Sequence, residues 1–142
     1  MIEESLVTFF KSTTYVAKDI AALINGRVHV GKVPKNQANK FPRIFLQRTG
    51  KEYDCDMDGT KGNYIEDTFA LEVISNASSD CLKLSDELWK DVHCHYGNIA
   101  STQTVKGILL ESQDDDYEPK GTGGDLGLDI AAFSMRVIYA ST

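Results

Sequence analysis

Between residues 67 and 96 the spacing of apolar side chains changes once, and the rest of the chain is organised around that change. Phe69, Leu71 and Val73 fall on one face, with Thr68, Ala70 and Glu72 between them, which predicts a strand from Thr68 to Ile74. After Asn76–Ala77–Ser78–Ser79 the period lengthens. Cys81, Leu84, Leu88, Val92 and Tyr96 recur at three- and four-residue spacing, with Leu82 and Trp89 beside them. That is the stripe of an amphipathic helix. Ser78 or Ser79 is placed to cap its first amides, and Asp80 sits at the positive end of its dipole. A strand with one apolar face and a helix with one apolar stripe must bury those surfaces together.

Upstream, Leu6, Phe9, Phe10, Val16, Ala17, Ile20, Leu23 and Ile24 show helical spacing that stops at Asn25–Gly26. Ser12–Thr13–Thr14 is a weak centre, so this region is one long helix or two short ones. Arg27 to Val33 reads as a short strand and Pro34 to Lys40 as a basic polar loop. Pro42 opens a strand from Arg43 to Thr49, followed by a polar connection from Lys51 to Gly62. Gly97 to Thr104 reads as a loop, Val105 to Ser112 as a strand, and Gln113 to Gly127 as a long acidic, glycine-rich loop. The last strand, Leu128–Tyr139, alternates Ala131, Phe133, Met135, Val137 and Tyr139 with Ala132, Ser134, Arg136 and Ile138. Runs of strands with helices inserted at two points predict an α+β fold: a mainly antiparallel (mixed) sheet with two helices packed on one face.

With 142 residues, 42% hydrophobic and 25% charged, the chain is expected to form a single domain with a substantial core. A net charge of -6 argues against a general nucleic-acid binder, which carries a basic face. It leaves room for a protein that lets nucleic acid pass without holding it. Cys55, Cys81 and Cys94 are odd in number and widely spaced, so no disulfide framework is expected, in keeping with a reducing cytoplasm. No signal segment or membrane-length apolar run is present in the sequence. The acceptor pattern Asn76–Ala77–Ser78 is read as chance without secretion.

The sharpest local motif is Asp54–Cys55–Asp56–Met57–Asp58–Gly59, alternating carboxylates before a glycine, as at the start of a calcium loop. The closing acidic ligand belongs six residues after the glycine, where Ile65 stands; Glu66 comes one place late. The flanks read as strands, so an acidic hairpin tip is the simpler expectation. His93–Cys94–His95 clusters soft ligands, but on a helix side chains two apart diverge. Only His29 is left to complete such a site, so a polar helix end is preferred to a metal centre. No Gly-x-Ser-x-Gly elbow is present, and Cys81 on the apolar stripe reads as core. Gly121–Thr122–Gly123–Gly124 lacks the Lys–Ser/Thr of a phosphate loop and leads into a strand. Trp89, Phe9 and Phe10 lie on helical stripes and are expected in the core. No enzyme emerges, and no cofactor or metal is expected.

The layout resembles the tail-completion and tail-terminator proteins of long-tailed bacteriophages, the small head-to-tail joining subunits. The features that carry the resemblance are an N-terminal helical region ending in Gly26–Arg27–Val28 and the Pro-initiated strand Phe41–Pro42–Arg43–Ile44–Phe45. The central strand with its immediate helix (Phe69–Ala70–Leu71–Glu72–Val73 to Val92) and the final strand with Met135–Arg136–Val137–Ile138–Tyr139 complete it. The resemblance spans nearly the whole chain. It implies a structural virion protein of the tail or neck, assembled in the host cytoplasm, with no membrane partner. Such subunits form a homo-hexameric ring that caps the tail tube and docks on the head connector or stopper, with DNA passing through the lumen unbound. The acidic residues Asp54, Asp56, Asp58, Asp114, Asp115, Asp116 and Glu118 are then expected in loops at the lumen or the axial faces. The alternatives are an adaptor or calcium-binding module built on Asp54–Asp58 and, further off, a small enzyme.

Overall fold

The computed structural model describes residues 2–37, 40–55, 61–100, 103–118 and 127–140, with the backbone alone at 37, 54, 55, 61–63 and 118. Its elements run α1 (Ile2–Lys11), α2 (Lys18–Ile24), β1 (Val28–Val30), β2 (Arg43–Cys55), β3 (Lys61–Ser75), α3 (Ser78–Glu87), β4 (Gly97–Ala100), β5 (Gln103–Val105), β6 (Gly107–Glu118) and β7 (Leu128–Ala140). A short 3-10 turn occupies Lys35–Gln37, and a π turn from Leu88 to Val92 extends α3. Five strands form one sheet in the order β1-β2-β3-β7-β6; β4 and β5 form a separate hairpin. Among the described strands only β1 runs parallel to its neighbour, so the sheet is mixed and mainly antiparallel, as expected.

The period-two pattern places the core. Ile44, Leu46, Phe69, Leu71, Val73, Ala131, Phe133, Met135 and Val137 all point to one face and are buried there. Against them pack Leu6, Phe9 and Phe10 of α1, Ile20 and Ile24 of α2, and Cys81 and Leu84 of α3 with Leu88 and Val92 of its π turn. Among the described residues the helical layer therefore holds three helices, not two. Ser12 is the reason: its Oγ accepts the Thr14 N–H (3.2 Å) and its carbonyl the Val16 N–H (3.0 Å). A polar side chain that bonds local backbone competes with helix propagation. α2 stops where predicted, with Asn25 at φ 49 and Gly26 at φ 73, left-handed positions that end a helix at little cost.

Several expected boundaries are corrected. The cap of α3 is Ala77 without a side-chain bond. Ser75 Oγ accepts the Ala77 N–H, while Ser78 Oγ donates to Asp129. The helical stripe ends at Val92, and Tyr96 lies beyond it, 78% exposed, because the π turn shifts the phase and His93 leaves helical geometry. Residues Gly97–Thr104 contain the β4–β5 hairpin instead of an uninterrupted loop. The polar connection after Thr49 is largely strand, since β2 runs on to Cys55 and β3 starts at Lys61.

Candidate functional site

The acidic residues singled out in the sequence do not form one patch. Asp114, Asp115, Asp116 and Glu118 belong to strand β6, paired with Ala132, Ala131, Ile130 and Leu128 of β7; they are not in a loop. Aspartate is a poor strand former. Here the neighbouring β7 supplies the ladder, and β6 is an edge strand whose carboxylates deter further pairing. Asp54 is in β2, near the opposite end of the sheet. Asp56 and Asp58, with the rest of 56–60, and the glycine-rich segment 121–124 lie outside the described residues. Tyr64 pairs with Ala140 at one end and Ser75 with Asp129 at the other, roughly 36 Å of strand at about 3.3 Å per residue.

Among the described residues, the second face of the sheet carries no helix. Register places Arg43, Phe45, Gln47 and Glu52 of β2 on it, with Glu66, Thr68, Ala70 and Glu72 of β3. β7 contributes Ala132, Ser134, Arg136 and Ile138. Register shifts after Leu110, so Ser112, Asp114 and Asp116 fall on the same side. Arg136 lies between Glu66 (2.9 Å) and Glu111, bonded to both. Small residues run across the centre of this face, Ala70 beside Ser134 and Ala132 beside Glu72. Carboxylates outnumber guanidinium groups on it, which gives a surface of negative potential.

A carboxylate of the β3 pattern faces the core. Asp67 has the same phase as Phe69, Leu71 and Val73 and is fully buried. Tyr139 donates to its Oδ2 (2.8 Å). Lys51, directly opposite on β2, brings Nζ to 3.6 Å from Oδ1 and donates to the Tyr139 hydroxyl (3.2 Å). Burial pulls the Lys51 ammonium down, but the bond to Tyr139 and the Asp67 charge more than offset it, leaving its pKa raised. Burial, then Asp67, push the Tyr139 hydroxyl up against the opposing pull of Lys51. At Cys81, burial and then the Asp129 carboxylate raise the thiol. All three groups hold their protons more tightly folded than unfolded. Their contribution is therefore complete below the unfolded values, about 8.5 for Cys and 10 to 10.4 for Tyr and Lys, and is lost as pH rises through the folded ones. Thermal melts from pH 7 to 11 are expected to show a melting temperature that declines above about pH 8.5 and falls more steeply above about pH 10; a flat profile to pH 11 would contradict this.

His93, Cys94 and His95 are held separately. His93 Nδ1 accepts the Leu110 N–H (3.0 Å), and its ring meets Trp89 edge-on. Cys94 is exposed at φ 66, and His95 packs on Phe9 and Tyr15 while its Nε2 lies 2.9 Å from the Asn98 carbonyl. Backbone bonds of Cys94 and His95 to Ile108 (2.7 and 2.9 Å) make this segment a cover for the start of the β6 edge. Trp89 donates to Gln113 (2.7 Å) and packs on Phe133. Cys81 is buried with its thiol 3.9 Å from the Val73 carbonyl. Among the described residues, no three His, Cys, Asp or Glu side chains are grouped to hold a metal ion, and no helix is long and apolar enough to cross a membrane.

No family model matches the chain, and no curated protein matches it in sequence. The fold is nonetheless found in a solved structure. A chain from the virion of a native gene transfer agent (GTA) particle superposes with a TM-score of 0.55 at 12% identity, over 87% of this chain and 86% of that one. At that identity the likeness is one of fold: a helical layer on one face of a long-stranded mixed sheet.

Proposed function

We propose that this protein is a non-enzymatic structural component of a phage-like virion, a tail-terminator or head-to-tail joining subunit. In this reading six copies close into a ring that caps the tail tube, meets the head connector, and passes DNA through its lumen. The observation that carries it is the uncovered acidic sheet face, in a fold shared with a virion chain of a gene transfer agent particle. A conduit for DNA has to enclose the duplex without retaining its phosphates, and a rigid ladder bearing Glu52, Glu72, Asp114 and Asp116 repels them at no conformational cost. The lumen is thus assigned to a sheet face, and the two hairpin ends to contacts with neighbours.

Reversing charge on that face tests the reading. Glu72→Lys with Asp114→Lys is expected to leave the melting temperature within a few degrees, since both side chains are at least partly solvated. The variant should retain duplex DNA at low salt, where the unmodified chain does not. Its affinity should fall with salt at a log–log slope of about -0.9 for each phosphate it neutralises. Phage carrying it should lose at least tenfold in infectivity. Full infectivity in the reversed variant would sink the assignment.

A further inference from the structure

We propose that the two lateral edges of the long sheet form one contact between copies of this chain, the cationic β1 edge of one copy meeting the acidic β6 edge of the next. This deepens the ring reading above and rests on it. β1 and β6 are the outermost strands of the five-stranded sheet, and their surroundings carry opposite charge. Exposed Lys32 and Lys35 follow β1. The charges of Arg43 and of exposed Lys11 both act on His29 within it; burial first, then these two, hold the imidazole below its ordinary pKa. Residues 12–42, which join α1 to β2, hold five lysines and arginines and one carboxylate, Asp19. Those outside the described residues there are neutral, as is the Gln37 side chain. Nearby, Glu72 acts on Arg43, and Glu3 pairs with Arg48 at 3.1 Å.

On β6, Asp114, Asp115 and Asp116 are all exposed. Asp115 accepts from Gln113 and Asp116 from the Tyr117 amide, bonds that cancel no charge. Residues 107–127, β6 and its link to β7, hold six carboxylates and one lysine, so the count is acidic with every residue of the link included. Residues 78–92, α3 and its π turn, add four carboxylates and two lysines. Asp54 lies roughly 36 Å of strand from Arg43 at about 3.3 Å per residue, so the acidic run that begins there changes the sign of neither edge.

The register sets the two halves at one height. His29 pairs with Phe45, Phe45 with Glu72, Glu72 with Ala132, and Ala132 with Asp114. The row that starts at Arg43 passes Ile74 and Ile130 and ends at Asp116. A neighbour turned about an axis along the strands therefore meets cation with carboxylate and needs no shift along that axis. That is the condition for a closed ring as opposed to an open helix. Like edges repel, Asp114–Asp116 from their own copies and Lys11 and Lys32 from theirs, so the contact is heterologous. Carboxylates that keep two β6 edges apart thereby select a β1 edge.

The test uses the full chain in two charge-reversed forms, each checked for an unchanged circular dichroism spectrum. One carries Lys11→Glu with Lys32→Glu, the other Asp115→Lys with Asp116→Lys. Sedimentation velocity at low salt is expected to show closed oligomers for the unsubstituted chain and self-association weakened at least tenfold for each form alone. An equimolar mixture of the two forms should assemble again, because each reversed edge then meets its opposite in a ring of alternating copies. Forms that assemble alone like the unsubstituted chain, or a mixture that stays apart, overturn this interface and leave the ring reading standing. An unsubstituted chain that stays monomeric at every concentration, alone and with purified tail tubes, removes the ring reading and this inference with it.

Discussion

Asp67→Ala is expected to be the most damaging single substitution outside the apolar core, costing about 3 to 5 kcal/mol. Asp67 is fully buried, and removing its carboxylate strips Tyr139 of its acceptor and Lys51 of its counter-ion in one step. The buried Tyr139 hydroxyl then keeps its desolvation cost without the bond that offset it, while the more exposed Lys51 loses its counter-ion. At roughly 3 °C per kcal/mol for a chain of this size, the melting temperature should drop by about 10 to 15 °C. The companion variant replaces the whole network: Asp67→Leu, Tyr139→Phe and Lys51→Met leave no polar group stranded and should recover most of that loss. A drop of under about 2 °C in Asp67→Ala would show that the buried carboxylate is not held by these partners.

Phe9→Ala is the second. Phe9 is fully buried and touches three rings, Phe10 edge-on at 5.4 Å, Tyr15 stacked at 5.2 Å and His95 at 4.9 Å between centroids. It therefore joins α1 to the residues between both N-terminal helices and to the segment that covers the β6 edge. Loss of the ring costs about 3 to 5 kcal/mol, transfer energy plus the cavity left behind. The damage should be directional. Hydrogen exchange at Ile108 and Cys94, whose amides bond across that cover, is expected to accelerate more than exchange in the β3–β7 ladder. Equal acceleration throughout would mean that Phe9 supports the core as a whole and not that seam.

How much of this is legible in the chain varies with the range of the interaction. The alternation of Phe69, Leu71 and Val73, the stripe from Cys81 to Val92 and the long alternating last strand all appear as expected, because each is a repeat within one element. Asp114–Glu118 reads as loop because local preference disfavours aspartate in strands, while the partner that holds it there, β7, comes later in the chain. The small β4–β5 hairpin escapes a sequence reading because its strands are too short to show a period. The Lys51–Asp67–Tyr139 network joins residues up to 88 apart, which no local pattern reveals. A signal is present all the same: Asp67 shares the parity of three apolar neighbours, and a carboxylate in a core phase needs buried partners. The uncovered acidic face is also encoded, in Glu66 and Glu72 between the apolar positions of β3, but it gains meaning only when the register sets Asp114 beside it.

In the reading proposed above, this chain closes into a ring. The most direct measurement is its mass by light scattering on a sizing column across a concentration range, with negative-stain images of each peak and of purified tail tubes to which the chain has been added. The account predicts a species of six times the 15.7 kDa chain mass, seen as a closed annulus with a central opening, free or seated on the tube end. A 15.7 kDa species at every concentration, with bare tube ends after mixing, would contradict it.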